Sequence, residues 1–285
     1  MAADAWRRLR RNRPAMAGLA YIVILVLVAI LAPVIAPADP YEQDLTCRLA
    51  PPGAPSVISR TGTYVLGADQ FGRDILSRIV YGSRISLAVG LVSEFIVTVI
   101  GVTAGLLAGY YGGWFDNLVM RVCDILFAFP DLLFCIGIMF ALGPGLLNIY
   151  IALSVVGWAG MARLVRGQVL ALKETEYVEA ARAQAVSDLR IMFRHILPGC
   201  LAPVIVSITL GIPGAIMGEA SLSFLGLGAQ PPTASWGSMI YDARAYLRTH
   251  PLFSIWPGVV IMLTVFAFNL FGDGLRDALD PRMKT

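Results

Sequence analysis

Residues 85 to 110 read ISLAVGLVSEFIVTVIGVTAGLLAGY, an apolar run that carries a single charge, Glu94. A helix needs about 20 apolar residues, at a rise of about 1.5 Å each, to cross the hydrocarbon core of a bilayer. This run is long enough, and it is not isolated. The 285-residue chain is 57% hydrophobic and 14% charged, with a mean hydropathy of +0.72, 28 glycines and 17 prolines. Such a composition belongs to a polytopic membrane protein and excludes an ordinary soluble domain. Comparable apolar runs cover residues 15–36, 116–142, 146–170, 199–228 and 253–272. Because lipid offers no partner to backbone N–H and C=O groups, each run must be a helix or part of a closed barrel. Long continuous runs, rather than short alternating ones, choose helices. The sequence therefore predicts an all-α polytopic membrane protein with six transmembrane helices.

The first run follows MAADAWRRLRRNRP, residues 1–14, which resembles the basic region of a secretory signal. The apolar run is too long for a signal core, and Pro37 stands just after Ala36, where cleavage would need a permissive residue. The segment is expected to stay as an anchored helix. Arg7, Arg8, Arg10, Arg11 and Arg13 then hold the N-terminus in the cytoplasm by the positive-inside rule. Six spans return the C-terminus to the same side, and the tail 273–285 carries Arg276, Arg282 and Lys284. The outer loop 37–84 opposes this assignment with Arg48, Arg60, Arg73, Arg78 and Arg84, balanced by Asp39, Glu42, Asp44, Asp69 and Asp74.

Carboxylates inside spans cost several kcal/mol unless they face protein or water, so Glu94, Asp124, Asp131 and Glu219 need partners. Arg121 lies three residues before Asp124 on the same helix face and is its expected partner. Asp131 follows Pro130 and is expected to cap backbone freed there. Glu94 and Glu219 have no such neighbour, which suggests a hydrated path between helices. The fifth run, rich in Gly211, Pro213, Gly214, Gly218, Ser221, Ser223, Gly226 and Gly228, is small enough to pack closely or to line that path. Glu94, Glu219, Ser221 and Ser223 are the candidate lining residues.

Between the fourth and fifth runs the chain turns polar as EYVEAARAQAVSDLRIMFRHILP, residues 176–198, after a basic approach through Arg163, Arg166 and Lys173. Tyr177, Ala180, Ala181 and Gln184 have helical spacing. Ser187 is a candidate N-cap, and Leu189, Met192, Phe193 and Ile196 form a second apolar stripe opposite Arg190 and Arg194. Two short amphipathic helices are expected. They could lie in the membrane interface or present a docking stripe, edged by Glu179, Arg182, Arg190 and Arg194, to a soluble partner.

Glu179, Ala180 and Ala181, followed by Leu197 and Pro198, resemble the cytoplasmic loop of ABC importer permeases. The resemblance extends through GADQFGRDILSRIVYGSRISL from Gly67, LVRGQVLALKETEYVEAAR from Leu164, EASLSFLGLGAQPPTASWGSM from Glu219 and FNLFGDGLRDALDPR from Phe268. These stretches are similar to the second permease subunit of dipeptide, oligopeptide and nickel importers. One position departs from the family: Ala185 stands where a glycine is usual, and alanine resists the positive φ that glycine permits.

The resemblance implies a type I importer permease fold in the bacterial cytoplasmic (inner) membrane, with the loop of about 174–198 coupling residues 85–272 to an ATPase. It implies as partners a second homologous permease, two ATP-binding subunits, a soluble or lipid-anchored substrate-binding protein and membrane lipid, with no nucleic acid. The coupling residues would be Glu179, Ala180, Ala181, Arg182, Ala185, Arg190, Arg194, Leu197 and Pro198. The chain contains only Lys173 and Lys284, neither in a GxxxxGK[ST] setting. A phosphate-cradling P-loop needs that lysine, so ATP and Mg are expected on the partner subunits and no cofactor or catalytic residue on this chain. His195, His250 and the cysteines at 47, 123, 135 and 200 lack metal-ligand spacing, and Cys47 has no evident disulfide partner. Short peptides are the expected cargo, with nickel, glutathione or another small solute as alternatives. An ATP-independent transporter or channel is the alternative from another class, although no internal repeat supports it.

Overall fold

The computed structural model describes residues 2–279. Helix α1 (Ala2–Leu9) precedes α2 (Arg13–Ile30), whose start is fixed by Asn12: its Oδ1 accepts from Ala15 N at 3.1 Å, and a proline occupies the first turn. That placement suits proline, whose missing N–H has no helical partner there. A short α3 (Ala32–Ile35) leads into the long connection up to Asp74. Then come α4 (Ile75–Tyr111), α5 (Gly113–Phe127), α6 (Asp131–Leu142) and α7 (Leu146–Leu172). Helices α8 (Glu176–Ala183) and α9 (Asp188–Arg190) precede a π-helical turn, Ile191–Ile196, and α10 (Leu197–Phe224). Helices α11 (Trp236–Ala243) and α12 (Leu252–Leu279) complete the described chain.

Among the described residues, five helices are long and apolar enough to cross a membrane. The pair α5 and α6, bent by 93° at their junction, counts as a sixth if taken as one broken span. The sequence predicts a single run over 116–142. Pro130 breaks it, because its ring fixes φ and disfavours helix in the residue before it. Three other boundaries move. Asp74 caps α4 by accepting from Ser77 N at 2.7 Å, so the connection predicted as 37–84 ends at Asp74. Gly226, at φ +82°, closes α10 earlier than the predicted 228. Helix α12 runs on to Leu279, so the predicted tail is helical where it is described, and Arg282 and Lys284 lie outside the described residues.

The centre of the bundle is the seam between α4 and α7. Gly101, Gly105 and Gly109 recur every fourth residue of α4 and so share one face. A Cβ on Gly105 would sit 2.4 Å from the Ala162 carbonyl oxygen, and one on Gly101 would sit 2.5 Å from Met161 Cβ. Small residues allow this approach, and in lipid such close packing is the main force between helices. Ion pairs tie α5 to the same helix: Arg166 Nη2 meets Asp116 Oδ2 at 2.6 Å, and Arg163 bonds Asp124. Asp124 meets its expected partner Arg121 at 3.9 Å in an exposed ion pair, and Arg163 reaches the same carboxylate from α7.

Residues 37–74 fold into a cap over one end of the bundle. Asp69 is fully buried at its heart, with Arg73 Nε at 2.6 Å and Arg78 Nε at 3.5 Å, while Arg73 Nη2 also faces Asp242 of α11 at 3.6 Å. The fully buried Tyr64 donates to the Gly72 carbonyl at 3.0 Å. Gly72 itself has φ +73°, and a Cβ there would lie 1.8 Å from the Asp44 carbonyl oxygen, so only glycine fits. Arg73 of this segment and Arg78 of α4 are thus paired with carboxylates inside the fold.

Candidate functional site

At the opposite end of the bundle, α8 begins after Thr175, with Glu176 and Glu179 in its first turn and Arg182 in its last, the arrangement that the helix dipole favours. Val178 and Ala181 are buried against Val165 and Val169 of α7, whereas Tyr177, Glu179, Ala180 and Arg182 are exposed. The helix stops in a Schellman motif. Ala185 N donates to Arg182 O at 2.9 Å, and Val186 N donates to Ala181 O at 3.2 Å. Ala185 takes the left-handed position at φ +55°, so the turn normally made by glycine is made here by alanine, at a local cost of about 1–2 kcal/mol.

Ser187 occupies the N-cap position of α9, although its side chain makes no capping bond. Helix α9, the π-turn and α10 run on without a break as one 37-residue helix, Asp188–Phe224. Pro198 explains the π-turn: it has no N–H to give the Arg194 carbonyl one turn back, so the backbone widens there. The apolar stripe expected over Leu189, Met192, Phe193 and Ile196 divides in two. Met192 and Ile196, joined by Ile191, are buried against α7 and α8, while Leu189 is 63% and Phe193 58% exposed. The extra residue of the π-turn rotates the face, so the outward patch is Tyr177, Ala180, Leu189 and Phe193 beside Glu179, Arg190 and Arg194.

This patch is fixed to the bundle. Tyr110 Oη at the end of α4 donates to Asp188 Oδ1 at 2.7 Å, and the Arg182 guanidinium stacks on the Tyr110 ring at 5.5 Å. Arg182 therefore faces back onto the chain as well as outward. Leu197 is partly buried and Pro198 exposed.

Farther along α10 a cavity of about 450 Å³ opens between α4, α6, α7 and α10. Glu94, Ser93, Asp131, Ser207 and Ser221 contribute its polar lining. Asp131 is the first residue of α6 and, contrary to expectation, the helix start carries no side-chain capping bond. Glu219 and Ser223 are absent from this lining. Glu219 is fully buried, accepting from Ser223 Oγ at 2.6 Å and from Ser86 Oγ at 3.4 Å, and Ser86 Oγ in turn accepts from Trp236 N at 3.4 Å. Trp236 Nε1 donates to the Ile79 carbonyl at 3.1 Å. Glu219 thus joins α10 to α4 and α11, a role that its place in a small, serine-rich helix does not reveal. Helix α11 was not anticipated either, although Ser235 and Ser238 form a capping box ahead of Trp236 that a search for paired caps would have found.

The described residues thus form a helical bundle in which a cavity-lining helix continues into an exposed apolar patch edged by charges. Two family models cover most of the chain. One, a binding-protein-dependent transport system inner membrane component, matches residues 101–285, and the other, the N-terminal transmembrane domain of oligopeptide transport permease C, matches residues 1–52. The chain belongs to the family of binding-protein-dependent transport system inner membrane components, that is, to the multi-pass permease subunits of bacterial ABC importers. It is 45% identical over 282 residues to the dipeptide transport system permease protein DppC of Alkalihalophilus pseudofirmus, covering 99% of this chain and 90% of that protein. The glutathione transport system permease protein GsiD of Pectobacterium atrosepticum is also 45% identical over 282 residues (99% and 91% covered), and that of Escherichia coli O157:H7 is 47% identical over 281 (99% and 90%). The inward-facing MetNI methionine ABC transporter shares the fold at a TM-score of 0.58 and 22% identity, over 72% of this chain and 98% of the matched chain. Membership of this family implies ATP-binding and substrate-binding partners.

Proposed function

We propose that this permease carries short peptides, pairing with a second homologous permease, two ATP-binding subunits and one binding protein. The observation that carries the reading is the unbroken helix Asp188–Phe224, which bears exposed Leu189 and Phe193 at one end and cavity-lining Ser221 near the other. An apolar patch of this size edged by charges is suited to a groove on a soluble subunit. A push on it is transmitted along a rigid helix to the cavity, a two-state change that nucleotide binding biases. ATP and Mg belong to the partner subunits in this scheme. The coupling set is Glu179, Ala180, Arg190, Arg194 and Pro198 on the surface, with Ala181, Arg182, Ala185 and Leu197 holding its geometry. Glu94 and Ser221 face the path, whereas Glu219 and Ser223 position α10.

Both termini lie in the cytoplasm in this reading. The burial and pairing of Arg73 and Arg78 support it, because these two charges of the predicted outer loop are neutralised within the fold and weigh less against the N-terminal arginines. Dipeptide and glutathione transport, named for the relatives, are both peptide-type cargo and favour peptides over nickel. Reconstitution with the partner subunits, binding protein and ATP tests the proposal. Di- or oligopeptides should accumulate, and Glu179→Lys should abolish uptake while the protein still inserts in the membrane. Accumulation of nickel or a sugar without any peptide would remove the cargo assignment, and uptake by this chain alone would remove the coupling.

A further inference from the structure

Glu94 is 7% exposed and has no hydrogen-bond or ion-pair partner among the described residues. Its carboxylate occupies the space of a missing side chain: a Cβ on Gly211 would lie 2.3 Å from Oε2 and 2.6 Å from Oε1. Glycine at that position of α10 leaves room for the acid, which borders the cavity. The neighbouring Ser93 hydroxyl is also buried without a partner. Among the described residues that line the cavity, the only other charged side chain is Asp131, and no lysine, arginine or histidine is present.

A buried polar group without a partner costs more than the same group satisfied. At membrane depth this cost is larger, and such residues mark substrate paths. A cavity with two carboxylates and no cation attracts a positive group that donates hydrogen bonds. A volume of about 450 Å³ admits more than a bare ion and falls within the range of small-molecule pockets.

We propose that Glu94 is a specificity-determining residue that receives the free α-ammonium group of the peptide as it passes through the cavity, with the Ser93 hydroxyl beside it. This inference rests on the peptide-permease reading above. It separates the two selections made on cargo: the binding protein chooses the peptide, and Glu94 favours passage of an unblocked amino end.

The test uses the complete reconstituted transporter, trialanine, N-acetyl-trialanine and a hydrophobic carbodiimide that reacts with buried carboxyls, with the labelled residue mapped by mass spectrometry. Trialanine should slow labelling of Glu94 about tenfold, the scale of one charge-assisted hydrogen bond, while N-acetyl-trialanine leaves it unchanged. Glu94→Gln should lower the maximal rate of trialanine uptake by a similar factor without altering peptide binding to the binding protein. A bulky thiol reagent on Ser221→Cys, made in a background free of native cysteines, tests the path itself. If that block leaves uptake intact, the path reading fails. If it stops uptake but both peptides protect Glu94 equally, or neither does, the ammonium site is overturned and the path stands.

Discussion

Two adjacent residues of the π-turn, Met192 and Phe193, should respond in opposite ways to truncation. Phe193 is 58% exposed and Leu189 63%, whereas Met192 is fully buried. Complete burial of a leucine or phenylalanine side chain contributes about 1.5–3 kcal/mol. Covering the exposed fraction of Phe193 against an ATP-binding subunit therefore contributes about 1.5 kcal/mol, and that of Leu189 about 1.3 kcal/mol. Each is close to a factor of ten in affinity, since about 1.4 kcal/mol is tenfold. Phe193→Ala should weaken binding of the ATP-binding subunit about tenfold, and the double change with Leu189→Ala about a hundredfold. Neither should move the thermal midpoint of the isolated permease. Met192→Ala leaves a cavity among Val165, Val178 and Ile196 and should destabilise the fold by about 2–5 kcal/mol. Titration of the labelled ATP-binding subunit onto nanodisc-held permease measures the first effect, and detergent melting the second. Unchanged affinity for the double variant would refute the docking face, and a large melting shift for Phe193→Ala would refute the assigned burial.

Gly105→Ala should destabilise the permease by about 1–3 kcal/mol through overpacking against the Ala162 carbonyl, read as a lower thermal midpoint, while Gly137→Ala, which meets nothing within 4 Å, should not. Burial raises the Asp74 carboxyl pKa. An acid with a raised folded pKa is more protonated in the folded than in the unfolded state, so its ionisation destabilises the fold above that pKa and the penalty fades as pH falls through it. Asn is an equally good N-cap, so Asp74→Asn should melt higher than the parent at neutral pH, an advantage that disappears on acidification; a constant difference at all pH values would contradict this. For orientation, a cysteine at Val57, which is 90% exposed, should react with an impermeant thiol reagent in intact spheroplasts, and one at Ser187 should not. Ser59 also lies in the cap but is buried, and so makes a poor reporter.

The sequence by itself determined the membrane class, the number of apolar runs and the place of the polar interruption at 176–198. These are one-dimensional properties: lipid demands a certain length of apolar chain, and no distant residue can change that requirement. It also placed Glu94 and Ser221 in runs that border the cavity, because an acid in such a run must find water or protein. Tertiary structure decided which side of each helix faces inward. Periodicity grouped Met192 with Phe193, yet the π-turn at Pro198 and the packing of α7 and α8 buried one and exposed the other. Asp124 pairs with Arg121 of its own helix, as the spacing predicts, and also with Arg163, which only the packing of α7 brings within reach. Glu219 and Glu94 look alike along the chain, but three serines and Trp236 surround the first while Gly211 opens a cavity before the second. A carboxylate's role follows from the donors that reach it, and those donors arrive from other helices.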